Sequence, residues 1–406
     1  MSAEKRPFIV GIGASAGGIE ALETFFEAMP ADSGMAFVVI AHLAPHRPSL
    51  LAEVLGRFTV MEVGVVAEGT APQPNHIYVI PPNLVVAIEH DRLRLHTPDP
   101  SRRTPNPIDV FFASLAQDQG ERAIGIVLSG AGSDGTLGIK AIKECGGLTM
   151  AQGSGETGPR HESMPASAIA TGLVDVVAPV EQLAPKLVAY RRSFGSPLLV
   201  EEPAPKQPPE LRLRSARRQI CAILNERVGH DFSGYKEKTF LRRVQRRMQV
   251  IQLTDLNSYV ERLKKDPEEV TQLFRDLLIG VTSFFRAPEA FDALAQLVVP
   301  KLLEGKGAAD TVRVWVPGCS TGEEVYSVAI LLGEQLDRGQ VAAKVQIFGT
   351  DIDEVALAVA RAGRYPGTLL EGVSQERLHR CFAEDAGTYV VAKHVRDMCI
   401  FSPHSV

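Results

Sequence analysis

No apolar stretch of this sequence approaches the ~18 uninterrupted residues that a membrane-spanning helix needs. The opening "MSAEKRPFIV" also lacks the long apolar core of a secretory signal. Direct membrane insertion is therefore not expected, and the cytoplasm is the default location. Cysteine is sparse: Cys145, Cys221, Cys319, Cys381 and Cys399 are scattered, odd in number and free of any C-x-x-C spacing. That argues against a disulfide scaffold or a zinc ribbon, and no metal site is expected. A strong charge of one sign is missing too, since a formal net charge of −5 gives no global attraction to nucleic acid. What remains is 45% hydrophobic and 22% charged residues over 406 positions, the composition of a globular chain of two or three domains.

Over the first part of the chain, short β-branched runs alternate with segments of helical period. "FIVGIG" runs into "GGIEALETFFEAM", "MAFVVIAHL" into "SLLAEVLGRF" and "AIGIVLSG" into "DGTLGIKAIKECG", before "LTMAQ" opens another run. Nearly continuous apolar strands between helices predict a parallel sheet covered on both faces, hence a doubly wound α/β domain over 1–193. "FGSPLLVEEPAPKQPPE" follows, with five prolines and no period, and reads as a linker over 194–210. Residues 211–283 carry helical patterning without a strand signal and predict a small all-α domain. Strand–loop–helix returns with "VRVWVPGCSTGEEVYSVAILLGEQL" and "KVQIFGTDIDEVALAVARAG", predicting a second, Rossmann-like α/β domain over 284–406.

The first loop carries the most chemistry. Gly13-Ala14-Ser15-Ala16-Gly17 fits G-x-S-x-G, a sharp strand-to-helix turn that exposes a serine hydroxyl as nucleophile. A loose dinucleotide fingerprint fits the same glycines, although no acidic residue ends the next strand, where "VVIAH" stands. Taken alone the loop leaves three readings open: a structural turn, a phosphate cradle or a nucleophile elbow.

The neighbouring strand ends bear on that choice. His42 closes "FVVIAH" and Asp134 lies just past "GIVLSGAGSD". In a doubly wound sheet such ends converge on one crevice, so Ser15, His42 and Asp134 form a candidate triad of nucleophile, base and orienting acid. The glycine-rich "SGAGSDG" offers backbone N–H groups for an oxyanion, with Ala131 a candidate donor. Plainer roles stay open: His42 could cap a strand end, with His46 and His76 as competitors, and Asp134 could be an ordinary helix N-cap.

Together "IGASAGGIEAL", "AHL" and "VLSGAGSDGTLGIKAI" resemble the chemotaxis protein-glutamate methylesterase (CheB-type) domain, over roughly residues 6–190. The resemblance implies catalytic roles for Ser15, His42 and Asp134, no cofactor, and hydrolysis of a glutamate γ-methyl ester on a receptor helix with release of methanol. It also makes "AQGSGETGPRHESMPASAIATGLVD" the segment flanking the site, with Met164 and Pro165 structural. Related enzymes often carry a receiver domain ahead of this one. None precedes Ser15, so control by phosphorylation of this chain is not expected.

In the second half, "VWVPGCSTGEEVYSVAIL" bends at Pro317-Gly318 and enters a helix after Gly322. Glu323 and Glu324 in its first turn would repel a pyrophosphate but suit the cationic sulfonium and ammonium of S-adenosylmethionine. Alternatively they merely favour the helix N-terminus. Asp351, ending "VQIFGTD", can accept ribose hydroxyls. With "TSFFRAPEAF" and "FGTDIDEVALAVARAGRY", this segment resembles the chemotaxis receptor glutamate O-methyltransferase (CheR-type), over about residues 213–406. The resemblance implies S-adenosylmethionine as cofactor, contacted by Thr282, Arg286, Glu324 and Asp351. Relatives often have asparagine where Gly280 stands, and their fold continues past the position of Val406, so a C-terminally truncated transferase is expected.

The segment 211–250 holds eleven Lys/Arg against three Asp/Glu. Arg242, Arg243, Arg246 and Arg247 concentrate that charge on one helix, either a solvated face or a surface that steers an acidic partner. The resemblance favours docking on an acidic receptor helix. No aromatic stacking set accompanies the charges, so nucleic acid is not the expected partner. The sequence thus predicts a bifunctional enzyme that removes and adds methyl groups on chemoreceptor glutamates. A non-catalytic signalling scaffold is the rival reading.

Overall fold

A computed structural model divides the chain into two compact units, Met1–Ile279 and Gly280–Val406, which are described separately. The structure describes residues 7–42, 50–97, 106–155, 158–194, 209–278, 282–339, 343–370, 373–385 and 388–404. Most of the proline-rich segment, together with His46 and Gly280, lies outside the described residues.

The first unit alternates strands and helices. In order they are β1 (Phe8–Ala14), α1 (Gly18–Glu27), β2 (Met35–Ala41), α2 (Leu51–Leu55), β3 (Glu62–Val65), β4 (His76–Val79), β5 (Val85–Glu89), β6 (Arg92–His96), α3 (Pro107–Gln119), β7 (Ala123–Val127), α4 (Thr136–Glu144), β8 (Leu148–Gln152), α5 (Ser163–Ala170), β9 (Val176–Ala178) and α6 (Val180–Ser193). Seven strands form one parallel sheet in the order β3-β4-β2-β1-β7-β8-β9. Strands β1, β7 and β8 are buried along their whole length, as the apolar runs require. One core packs α1 and α6 on the sheet through Phe25, Phe26, Leu183 and Leu187. The other packs α3 and α4 through Ile108, Phe112, Ile139 and Ile142. The doubly wound α/β arrangement is thus present. The antiparallel hairpin β5-β6, turned through left-handed His90 and Asp91, is an addition that the sequence reading did not separate.

Helix α3 lies close to the sheet because glycines leave room for it. A Cβ on Gly13 would stand 2.5 Å from Ile108, one on Gly11 2.8 Å from Phe112, and one on Gly138 2.4 Å from the Cβ of Phe112. The N-terminus of α3 is thereby brought to the carboxyl ends of β1 and β7.

Four helices complete the unit: α7 (Pro209–Val228), α8 (Glu237–Val250), α9 (Leu256–Lys265) and α10 (Pro267–Leu277). Leu224, Phe240, Val244, Tyr259 and Leu273 form their core, and the carboxylates of Asp255 and Asp266 cap α9 and α10. The basic stripe departs from the solvent-facing docking surface that its charge suggests. Arg243, Arg246 and Arg247 are buried, while the more exposed Arg242 pairs with Glu121 at 3.1 Å. The Arg246 guanidinium bridges Asp175 at 2.5 Å and Asp276 at 2.6 Å and donates through Nε to the carbonyl of Gly146. Lys143 of α4 reaches the same two carboxylates, and Arg247 pairs with Glu269, which also accepts from the Tyr259 hydroxyl. Three cations meet three carboxylates where the helices join the sheet. The physical reason for the correction is this neutralisation: complementary acids on α10 and before β9 hold the arginines inside.

The second unit contains α11 (Pro288–Ala293), α12 (Val299–Leu303), β10 (Thr311–Pro317), α13 (Glu323–Gly339), β11 (Lys344–Asp351), α14 (Glu354–Ala362), β12 (Arg364–Pro366), α15 (Gln375–Cys381), β13 (Phe382–Asp385), β14 (Thr388–Val391), α16 (Lys393–Arg396) and β15 (Cys399–Pro403). β10, β11 and β15 form a parallel sheet, and β12, β14 and β13 an antiparallel one. Val325, Tyr326, Ile330, Ile347 and Leu357 belong to the core.

Burial by itself would push the Asp175 and Asp276 carboxyls up, but the charges of Arg246 and Lys143 outweigh it and hold both below the usual carboxylate range. A carboxyl depressed in the folded state stabilises the fold above its unfolded pKa of ~3.9, and that contribution is lost as pH falls below this value. Removing one member leaves a buried charge uncompensated, which costs about 3–5 kcal/mol. Asp276→Asn is therefore expected to lower the unfolding midpoint at pH 7 and to speed hydrogen exchange in α8 and α10. Unchanged exchange in both helices would refute this account of the cluster.

Candidate functional site

The sheet order reverses at β1, which lies between β2 and β7, and crevices form outside the carboxyl ends of strands at such a switch point. Ser15 follows β1, His42 follows β2, and Asp134 lies seven residues past the end of β7. The structure brings the three together: the Ser15 hydroxyl lies 3.1 Å from His42 Nδ1, and His42 Nε2 lies 2.8 Å from an Asp134 oxygen. Backbone bonds hold the elbow, with the Ser15 amide donating to the Ser129 carbonyl and the Gly18 amide to that of Ser15. Gly17 takes the left-handed turn at φ 70°. The acid is buried and the imidazole is 37% exposed, so a reactant can reach the serine and ring while water is kept from the carboxylate.

Asp134 faces His42 and also caps a helix, though α3 rather than the helix that it precedes. Besides His42 it accepts from the amides of Ile108 at 3.1 Å, Asp109 at 2.9 Å and Gly135 at 2.8 Å. Of the competing histidines, His76 pairs with Glu62 and contacts the Pro74 carbonyl.

The loop after β7 touches the serine directly. A Cβ on Gly130 would lie 2.9 Å from the Ser15 Cβ and 2.5 Å from the end of Met164, which is buried. The amides of Gly130 and Gly132 are committed to the His161 carbonyl and the Ser163 hydroxyl. Between them, the Ala131 amide donates to no partner among the described residues. The same holds for Ala16 and Gly17 at the start of α1, two donors that the sequence reading missed. The signal for Ala16 was its place directly after the nucleophile of a G-x-S-x-G turn.

In the second unit the glycine loop between β10 and α13 carries positive φ at Gly318, Ser320 and Gly322. Asp351 fastens it: one carboxylate oxygen accepts from the Ser320 amide at 2.7 Å and the other from the Asp353 amide at 2.9 Å. Glu323 is buried and accepts from the Thr321 hydroxyl, whereas Glu324 is exposed. The segment from Thr282 to Arg286 is tied to α13 by the Phe285 amide, which donates to the Ser327 hydroxyl at 3.0 Å. Phe285 and Ala287 on either side of Arg286 have φ of 51° and 59°, a strained arrangement of the kind concentrated at ligand sites. Burial, helped by Asp351, pushes the Cys319 thiol up to about 12, so it is no thiolate nucleophile. Among the described residues no group of His, Cys, Asp and Glu could hold a metal ion, and no helix is long and apolar enough to cross a membrane.

Fold and site together define a two-unit α/β protein with a serine–histidine–aspartate constellation in one unit and a glycine loop facing an acidic strand end in the other. Comparison with protein families gives this class its members. Residues 10–187 match the CheB methylesterase, residues 216–278 the all-alpha domain of CheR methyltransferase, and residues 280–406 its SAM binding domain. The chain is a CheB methylesterase domain followed by the two domains of a CheR methyltransferase. It is 35% identical over 372 residues to an uncharacterized 104.1 kDa protein of Rhodobacter capsulatus, covering 88% of this chain and 39% of that protein. It is 36% identical over 190 residues to a protein-glutamate methylesterase/protein-glutamine glutaminase of Myxococcus xanthus, covering 46% and 54%. The chain therefore spans about half or less of the length of these relatives. Among solved structures, the CheB methylesterase catalytic domain of Thermotoga maritima aligns with 27% identity and a TM-score of 0.41, over 45% of this chain and 97% of that one.

Gly130→Ala forces a methyl against the Ser15 Cβ, and a displacement of about 1 Å at a reacting group costs on the order of 100-fold in rate. Labelling of Ser15 by a fluorophosphonate is expected to slow by about 10- to 100-fold with the circular dichroism spectrum unchanged. Labelling at the wild-type rate would mean that the loop does not position the serine.

Proposed function

We propose that the first unit hydrolyses glutamate γ-methyl esters and that the second methylates glutamate side chains with S-adenosylmethionine, both on chemoreceptor helices. The observation that carries this reading is the hydrogen-bonded series Ser15–His42–Asp134 at three strand ends of a CheB-type domain. Ser15 Oγ attacks the ester carbonyl as His42 Nδ1 takes its proton, and Asp134 orients the ring and stabilises the imidazolium. The open amides of Ala131 and Ala16 are the donors for the oxyanion. Collapse breaks the bond to the methoxy oxygen, which leaves as methanol with the proton from His42. Water, deprotonated by His42, then attacks the acyl-serine and frees the glutamate. The same steps on a side-chain amide would release ammonia, the second activity named for the Myxococcus relative.

In the second unit Glu324 and Asp351 suit a cofactor with cationic ammonium and sulfonium groups and ribose hydroxyls to be accepted. Thr282 and Arg286 complete the proposed set. Both Asp351 oxygens hold one backbone bond and keep a lone pair for a further donor. S-adenosylmethionine, when bound, supplies the methyl group. The substrate carboxylate needs no base, since glutamate has a pKa of ~4.3, so the residues serve to bind and align. No nucleic acid enters this function.

Ser15→Ala is expected to lower methanol release from a peptide γ-glutamyl methyl ester by roughly 1,000-fold or more. Equal release from both proteins would overturn the esterase reading. Calorimetric titration with S-adenosylmethionine tests the other half: Asp351→Ala is expected to weaken binding about 10-fold or more, the loss of charge-assisted hydrogen bonds. Binding that survives the substitution unweakened would remove Asp351 from the site.

A further inference from the structure

Two buried carboxyls lie where α3 meets α4, and only one of them faces His42. Neither helix is capped by its own N-cap side chain. Asp134, directly ahead of α4, instead accepts from the Ile108 and Asp109 amides, the second and third residues of α3. Asp109, in that first turn, accepts in return from the Gly138 amide at 2.7 Å, and from that of Leu137, the third and second residues of α4. The side chain of Asn106 donates to its other oxygen at 3.4 Å. Each helix is capped by the acid of the other. Asp109 is 3% exposed and Asp134 4%.

We propose that Asp109 is a positioning residue behind the Ser15–His42–Asp134 series: its carboxyl holds the first turn of α4 and with it Asp134, which faces His42. The proposal rests on the esterase reading for its rate measurement, but not for its hydrogen-exchange measurement.

The groups facing Asp109 define its behaviour. From the loop after β7 it meets the charge of Asp134, from α4 the neutral Gly138 and Leu137 amides, and from the turn before α3 the neutral Asn106 amide. Burial first, then the Asp134 charge, push its carboxyl up to about 7. Below that pH it is neutral, and above it a second negative charge stands beside that of Asp134. A carboxyl raised in the folded state costs stability as pH rises from its unfolded value through its folded one. Asparagine keeps an oxygen for the Gly138 amide and removes that cost, so Asp109→Asn is compatible with the fold.

The test uses the full chain and two variants. In Asp109→Ala the Ile108 and Gly135 amides, which donate to Asp134, are expected to exchange with solvent about 10-fold faster or more, and in Asp109→Asn at close to the wild-type rate. The unfolding midpoint of Asp109→Asn at pH 8 is expected to hold or rise. Asp109→Ala, which loses the acceptor as well, is expected to lower kcat about 10-fold or more at similar KM, and Asp109→Asn to restore most of that loss. Exchange of the Ile108 and Gly135 amides identical in wild type and Asp109→Ala would overturn the inference. Ester hydrolysis insensitive to Ser15→Ala would overturn the esterase reading instead, and exchange of the amides that bind Asp134 would still decide the role of Asp109.

Discussion

The absence of a few methyl groups governs the first unit. Ile108 and Phe112 of α3 rest where Cβ atoms of Gly11, Gly13, Gly125 and Gly138 would otherwise stand. Glycine within a strand or helix costs about 0.5–1 kcal/mol relative to alanine. Full burial of a side chain such as phenylalanine or isoleucine returns about 1.5–3 kcal/mol, and both of these are fully buried. Four glycines against two such side chains is close to balance, so stability alone does not account for the arrangement. Its other effect is positional: α3 approaches β1 and β7 closely enough for its first-turn amides to reach Asp134.

The buried charge cluster works on the far end of α4, the helix that follows Asp134. Helix α4 begins beside Asp134 and ends at Lys143 and Glu144, a span of about 13 Å at 1.5 Å per residue. Lys143 is locked between Asp175 and Asp276, so a rigid element runs from Asp134 to the helices that follow the seven-stranded sheet. Buried ion pairs gain little net stability because desolvation offsets attraction, yet they tolerate few alternative arrangements. The cluster therefore defines how α8 and α10 meet the sheet more than it strengthens that contact.

Much of this was legible in the sequence. Apolar β-branched runs specified the parallel sheet, since strands covered on both faces cannot alternate. The convergence of Ser15, His42 and Asp134 followed from the rule that strand ends meet at one crevice. The arginines of α8 were misread for a definite reason. A charge count along one helix does not see Asp175, more than sixty positions upstream, or Glu269 and Asp276 on α10, and these acids decide whether a guanidinium faces water. Asp109 escaped notice for a similar reason, because a cap shared between two helices leaves no local pattern in either. Gly11 and Gly13 were read for the turn they precede, whereas their lack of side chains serves a helix nearly a hundred residues away.

The two units also show how little the loop motif decides. Gly13-Ala14-Ser15-Ala16-Gly17 and Gly318-Cys319-Ser320-Thr321-Gly322 both fit G-x-S-x-G, and each joins a parallel strand to a helix. In the first, Ala14 pairs with Ala41, so the next residue on the neighbouring strand is His42, an acceptor for a serine proton. In the second, Pro317 pairs with Thr350 and the next residue is Asp351, whose carboxylate binds the Ser320 amide. An imidazole at that position lies within hydrogen-bond reach of the serine hydroxyl. A carboxylate there turns the same loop into an anionic rim suited to a cation. The chemistry of such a loop is written on the adjacent strand, one residue past the last pair in register.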